Sequence, residues 1–241
     1  MMNRITATYY IETALDPHQA AAVLAGEQSS GTFVAVPGET EALKHQFAAR
    51  VEEVTVLQDV DQPSLPGDPM GKGPYNRAMV RVSWSLDNFG YNIPELISTV
   101  QGNLYELRQF TGLRLMDLEF PDAFVSHFRG PAHGIEGCRK LTGVWDRPLM
   151  GTIIKPSVGL TPDQTANLVA QLAVAGIDFI KDDELLSSSS NSPFELRLQK
   201  VMEVINRHFQ ETGKKIMYAA NISGEMDEMM SRYEMIVKLG G

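Results

Sequence analysis

The sequence predicts an α/β protein: an N-terminal α+β domain of ferredoxin-like type, followed by the first part of a (β/α)8 barrel of the TIM kind. Three observations predict it. Between residues 149 and 241, apolar runs of strand length alternate three times with helix-length segments, the pattern of successive parallel βα units. Before residue 120, strand-like runs interleave with two helices, as in a compact α+β domain. Between the two lies a stretch punctuated by Pro121, Gly130, Pro131 and Gly134. The expected division is 1–120 for the first domain, 121–148 for linker and barrel lead-in, and 149–241 for three βα units.

In chain order, residues 5–13 are β-branched and aromatic and read as a strand. Asp16 then offers an N-cap, Pro17 a first helical position, and an alanine-rich run continues the helix to about Gly26. Residues 27–32 form a polar loop before a short apolar run over 33–36. A short helix is expected over 39–49 and a strand over 51–57. Residues 58–76 are rich in proline, glycine and aspartate, hence an exposed loop. A strand over 78–85, a helix over 93–103 and a strand over 113–120 complete the domain. Trp84 and Trp145 read as packing residues rather than ligand platforms.

The second part opens with a strand over 149–154. Thr161-Pro162-Asp163-Gln164 is a capping box with proline at the first helical position, and Gly176 closes that helix. A strand over 177–180 follows. Ser192-Pro193-Phe194-Glu195 reads as a second box of the same design, with Gly213 as its stop. Residues 215–222 are the third strand and 224–239 the third helix. Three strands cannot close a barrel, which takes eight βα units and ~250 residues. The expectation is therefore an open three-layer sheet or, in preference, a fragment truncated after the third unit.

The bulk numbers exclude several classes. The 241 residues are 43% hydrophobic and 21% charged with a formal net charge of −9, an ordinary globular composition. The acidic balance argues against nucleic acid, and no basic block interrupts it. No run approaches the ~18 apolar residues that span a bilayer, so no membrane partner is expected and the address reads as cytoplasmic. Cys138 is the one cysteine and has no CxxC partner. There is no GxGxxG and no GxxxxGK[ST], and none of the five histidines shows metal spacing or a serine partner. Ser187 to Ser190 reads as a loop lead-in rather than a nucleophile cluster.

What remains is ionisable chemistry at the carboxyl ends of the strands, where parallel α/β folds collect ligands. Lys155 stands at the mouth of the first strand. In an apolar surround its pKa would fall enough for it to act as a base; the other reading is a snorkelling surface lysine. Lys181-Asp182-Asp183-Glu184 follows the second strand. Alternation puts Lys181 and Asp183 on one face, and a turn can bring Glu184 beside them. Two converging carboxylates suit a hard cation such as Mg²⁺, whereas a charged run can equally be a solvated helix start. As a site, it would use Mg²⁺ as a Lewis acid on a substrate carbonyl while a base removes the neighbouring proton.

These residues resemble the RuBisCO large-chain superfamily. Gly151-Thr-Ile-Ile-Lys-Pro156 with Gly159-Leu160 is similar to its first barrel strand, and Gly176-Ile-Asp-Phe-Ile-Lys-Asp-Asp-Glu184 to its second. Phe128-Arg-Gly-Pro-Ala-His-Gly-Ile135 resembles its lead-in to the barrel. Glu27-Gln-Ser-Ser-Gly-Thr32 and Gly102-Asn103 match motifs of its N-terminal domain. The likeness implies that Lys181 is carbamylated by CO2 and, with Asp183 and Glu184, binds one Mg²⁺ per site. It implies that Lys155 is the acid/base residue, that Thr32 helps hold a phosphate, and that Asn103 lies near metal and substrate oxygens. Asn221 would support the metal-site shell. Glu27, Thr32 and Asn103 would reach into a partner subunit's barrel, so that a homodimer with shared active sites is the minimal unit.

Two departures narrow the resemblance. Ser157 stands where true carboxylases have a second lysine, and Phe33 where they have tryptophan. The chain is therefore most similar to a RuBisCO-like protein of the form IV type. The implied function is an Mg²⁺-dependent lyase or isomerase that abstracts a proton next to a carbonyl of a phosphorylated sugar or sugar acid, by enolisation, isomerisation or decarboxylation. The alternatives are a true ribulose-1,5-bisphosphate carboxylase and a non-enzymatic assembly or regulatory protein.

Overall fold

The computed structural model describes residues 4–30, 37–65 and 70–240. Thr32 and the apolar run over 33–36 lie outside the described residues. Contacts divide the chain into two compact units, Met1–Arg129 and Gly130–Gly241. Among the described residues, no helix is long and apolar enough to cross a membrane.

The first unit runs β1 (Arg4–Thr13), α1 (Pro17–Glu27), α2 (Glu41–Phe47), β2 (Arg50–Val60), β3 (Tyr75–Ser85), α3 (Ile93–Gln101), β4 (Gly112–Glu119) and a short α4 (Asp122–Val125). The sheet order is β2-β3-β1-β4, and every pair is antiparallel. That is the ferredoxin-like arrangement, with α2 added after α1. Period-2 alternation aims Ile5, Ala7, Tyr9 and Ile11 of β1 to one face, beside Ala78, Val80, Val82 and Trp84 of β3, all fully buried. The same core takes Ala20, Ala21 and Leu24 from α1 and Leu96 and Val100 from α3. Tyr9 keeps its hydroxyl satisfied there by donating to the Val100 carbonyl at 2.6 Å.

Local chemistry sets the helix ends. The Asp16 side chain accepts from the backbone of His18 and Gln19, and Thr40 and Asn92 cap α2 and α3 in the same way. The loop expected over 58–76 is shorter than its composition suggests. Asp59 pairs with Asn76 and Val60 with Tyr75, because the β2–β3 ladder continues past the turn-forming residues on either side. The helix expected to reach residue 103 stops at Gln101, where Gly102 breaks it before a 3-10 turn over Asn103–Glu106.

The second unit runs α5 (Ile135–Thr142), β5 (Gly151–Ile153), α6 (Pro162–Val174), β6 (Phe179–Lys181), α7 (Phe194–Thr212), β7 (Met217–Ala219) and α8 (Met226–Lys238). The sheet is parallel in the order β5-β6-β7, as three consecutive βα units require. Ile154, Ile180 and Ile216 pack with Val169 and Ala173 of α6 and Leu198, Val201 and Ile205 of α7. The Thr161–Gln164 capping box forms as expected.

Other expectations need correction. The stretch read as linker holds α4 and α5, whose glycine and proline flanks obscure them; Gly143, at φ 73°, closes α5. Ser192 does not cap α7: Pro193 occupies the cap position, and the Phe194 N–H is satisfied by the Ser188 hydroxyl at 3.2 Å. Trp84 is fully buried, but Trp145 is 60% exposed and so is not a packing residue.

Candidate active site

The parallel register sets the site. Ile153 pairs with Lys181, and the Ile154 N–H donates to the Lys181 carbonyl at 2.8 Å, so Lys155 and Asp183 leave their strands at the same level. Alternation turns Ile154, Ile180 and Asp182 toward the helices, where all three are fully buried. Lys155, Lys181 and Asp183 are left for the other face. The Lys155 ammonium donates to the Asp183 carboxylate at 2.5 Å and to the Ser157 hydroxyl at 3.0 Å. Lys181 lies 3.7 Å from the Glu184 carboxylate and also donates to the Asp182 carbonyl. Lys155 feels the field of Glu184 as well as that of Asp183, so the two pairs share one neighbourhood.

The electrostatics correct one expectation. Lys155 is not in an apolar surround: its side chain is 62% exposed. The hydrogen bond it donates to Asp183 raises its pKa rather than lowering it, and the charges of Asp183 and Glu184 act in the same sense. Asp183, 2% exposed, is held below the usual carboxylate range by Lys155 first and by the Leu185 N–H second. In this arrangement Lys155 is an ammonium.

Asn221, just past β7, braces the acidic turn. Its side-chain amide donates to the carbonyls of Asp183 (3.2 Å) and Glu184 (2.9 Å), and its backbone N–H to Asp182 at 3.1 Å. Asp182 also accepts from the Tyr218 hydroxyl at 2.5 Å and lies 3.5 Å from the Arg197 guanidinium. Burial raises its pKa, and these partners oppose the rise. Sequence patterning singled out neither Arg197 nor Tyr218, and it offered no role for Asp182. The one available signal was the alternation that turns Asp182 away from its neighbours.

Glu27 and Asn103 belong to the first unit, where Gln28 ties their two loops together. Its amide, oriented with nitrogen toward Ser98 O (3.2 Å) and oxygen toward the Asn103 N–H (2.7 Å), bridges the end of α1 and the end of α3. The Gln28 carbonyl meanwhile accepts from Trp84. This approach requires a glycine at 102, since a Cβ there would stand 2.5 Å from the Ser98 carbonyl oxygen and 2.6 Å from the Gln28 amide.

Among the described residues, no three His, Cys, Asp or Glu side chains gather as a metal-holding group. The set read from the sequence has only two acids, and each faces an ammonium. It fits a hard cation on one chemical condition: Lys181 must carry an anionic oxygen in place of its positive charge. Carbamylation achieves that, and would leave three oxygen donors on one turn.

Residues 2–124 match the ribulose bisphosphate carboxylase large chain, N-terminal domain, and residues 134–241 match the ribulose bisphosphate carboxylase large chain, catalytic domain. The chain is 51% identical over 241 residues to a 3-oxo-isoapionate-4-phosphate transcarboxylase/hydrolase of Xanthobacter autotrophicus, covering 100% of this chain and 58% of that protein. It is 44% identical over 238 residues to a 3-oxo-isoapionate-4-phosphate decarboxylase of Rhizobium rhizogenes, covering 98% and 57%. The crystal structure of a rubisco-like protein from Burkholderia fungorum superposes with a TM-score of 0.88 at 40% identity, covering 99% of this chain and 57% of that one. The chain thus spans a little over half the length of the relatives it matches.

Proposed function

This chain belongs to the ribulose bisphosphate carboxylase large-chain family, and we propose that it serves an Mg²⁺-dependent enzyme of the RuBisCO-like branch, acting beside a carbonyl of a phosphorylated sugar acid. The observation that carries this reading is the Lys155–Asp183 pair at 2.5 Å, with Lys181 and Glu184 alongside at 3.7 Å, on adjacent strand ends. Lys181 as its carbamate, with Asp183 and Glu184, would hold the ion. Bound there, Mg²⁺ supplies Lewis-acid polarisation of a substrate carbonyl.

The names of the two similar proteins support a 3-oxo acid phosphate as substrate. Cleavage of the bond to the carboxylate releases CO2 and leaves its electron pair on the neighbouring carbon, conjugated with the oxo group. A proton must then reach that carbon. Lys155, an ammonium held by Asp183, is suited to deliver it from Nζ, with solvent restoring the proton afterwards. Asn221 keeps the acidic turn in place during this step. Thr32 would help hold the phosphate, and Glu27 and Asn103 would come from the first unit of a partner subunit, which makes a homodimer the working assembly.

Ser157 argues against the alternative, a true carboxylase. Its hydroxyl accepts from Lys155, where a second lysine would add a positive charge beside a doubly phosphorylated substrate. The test is to offer the full-length protein 3-oxo-isoapionate 4-phosphate and ribulose 1,5-bisphosphate separately, with Mg²⁺ and bicarbonate. CO2 release from the first, lost in Lys181→Ala, is the expected result; 3-phosphoglycerate formed from the second would overturn it.

A further inference from the structure

The Arg197 side chain is 1% exposed, yet little of its hydrogen bonding goes to the buried carboxylate nearest it. Asp182 lies at 3.5 Å, a long contact. The shorter bonds go to backbone: Ser187 O at 2.7 Å, Ser192 O at 3.0 Å and Leu186 O at 3.1 Å, with Ser192 Oγ at 3.2 Å. Every one of these acceptors belongs to a single stretch, residues 182–192. The guanidinium enters from α7, with its Cζ 5.6 Å from the centre of the Phe194 ring, and the chain wraps around it. A planar fork with five donors can satisfy several carbonyls at once, which a lysine cannot do.

This stretch carries Asp183 and Glu184 at its start. Its backbone is held from one side by Asn221, through the carbonyls of residues 183 and 184, and from the other by Arg197, through those of 186, 187 and 192. Asp182 couples the two supports, since its carboxylate receives Asn221 N–H, Tyr218 OH and Arg197. We infer that Arg197 is a positioning residue: it shapes the turn from which Asp183 and Glu184 project, and so sets how tightly those carboxylates hold a divalent cation. The metal half of this statement rests on the proposed function; the shaping of the turn stands on the hydrogen bonds alone.

The experiment uses the full-length protein and two readouts, Mg²⁺ affinity by calorimetry in bicarbonate buffer and amide hydrogen exchange. Arg197→Lys keeps the charge and removes the fork. It is expected to weaken Mg²⁺ binding tenfold or more, and to speed exchange at Leu185, whose N–H bonds Asp183, tenfold more than at Val201 in the α7 core. A residue with only a core-packing role would lower the melting temperature without moving either readout. Folded Arg197→Lys protein with wild-type Mg²⁺ affinity, or with Leu185 exchange rising no more than Val201, overturns the inference. If Arg197→Lys does not fold, the double variant Arg197→Met with Asp182→Asn leaves no stranded charge and is held to the same criteria. If wild type shows no Mg²⁺ binding that Lys181→Ala abolishes, the proposed function fails, and exchange at Leu185 decides the positioning role by itself.

Discussion

Lys155 Nζ lies 2.5 Å from Asp183 Oδ2, joining the second residue past the end of one parallel strand to the second residue past the end of the next. The lysine is largely solvent-exposed and the aspartate almost wholly buried, so the pair draws a mobile cation down onto a fixed anion. Chemistry at this point depends on Lys155 more than stability does.

Lys155→Ala is therefore expected to lower kcat about 10²–10⁴-fold, the range for a positioned general acid. Its effect on stability should be small beside the loss of rate, because the lysine end of the pair is 62% exposed and screened by solvent. Steady-state CO2 release and chemical denaturation of the full-length protein measure the two. A loss of stability matching the loss of rate would assign Lys155 to the fold instead.

At the opposite ends of the same strands, Asp178 is fully buried. It accepts two hydrogen bonds from Arg147, one from the Met150 N–H, and pairs with Lys214 at 2.8 Å. The Arg147 guanidinium holds its pKa well below the ordinary carboxylate range. Asp178→Asn strands two cations around a neutral amide and should destabilise by about 3 kcal/mol. Because the site is at the other end of the strands, the folded fraction should retain kcat. Urea unfolding with activity measured in parallel distinguishes this from a catalytic effect.

Glu12 gives the pH dependence of the first unit. Burial alone would raise its pKa, but hydrogen bonds from the Ser64 hydroxyl and N–H, Arg77 and Thr111 outweigh it and bring the value to about 2. A depressed carboxylate contributes stability that is complete above its unfolded value, near 4.5. That contribution fades as pH falls from about 4.5 toward 2 and amounts to about 3 kcal/mol. Glu12→Gln should flatten the acid limb of the stability curve over that interval, while wild type should not. Thermal melts between pH 2 and 7 provide the check.

Gly102→Ala would place a Cβ against the Ser98 carbonyl oxygen, an atom of the helix backbone that cannot swing aside. The expected cost is about 2 kcal/mol, in the range of overpacked sites. It should also free the Gln28 bridge to Asn103, so KM for the phosphorylated substrate should rise beyond any loss of folded protein. Melting temperature and KM, compared with Gln28→Ala, separate strain from the broken bridge. Equal KM values for Gly102→Ala and wild type would discount the bridge.

Much of the candidate site was legible because it is local. Lys181, Asp183 and Glu184 fall within four residues, and a two-residue period decides which of them share a face. Lys155 was legible as a strand end, but not as an ammonium: its pKa depends on a carboxylate 28 positions away. Arg197 and Tyr218 carried no signal at all, and Gln28 stood inside a motif that gave it no role of its own. A buried arginine on an amphipathic helix reads as one more polar position, and nothing in the primary structure says that five acceptors will close around it. The Ser192 cap failed for a similar reason, because Arg197 claims that serine and Ser188 takes over the cap.

By itself, the sequence determined the kind of protein this is: the βα order, the α+β character of the first unit, the strand ends that bear lysines and acids, and the family those motifs belong to. Each follows from periodicity, capping or contiguous residues, which act over a few positions. Only the tertiary structure decided which face of the acidic turn is buried, that Lys155 and Asp183 meet, and that Arg197 and Asn221 grip the turn from either side. Those are contacts between segments far apart in the chain. Their geometry is set by strand register and helix packing, which no local pattern encodes.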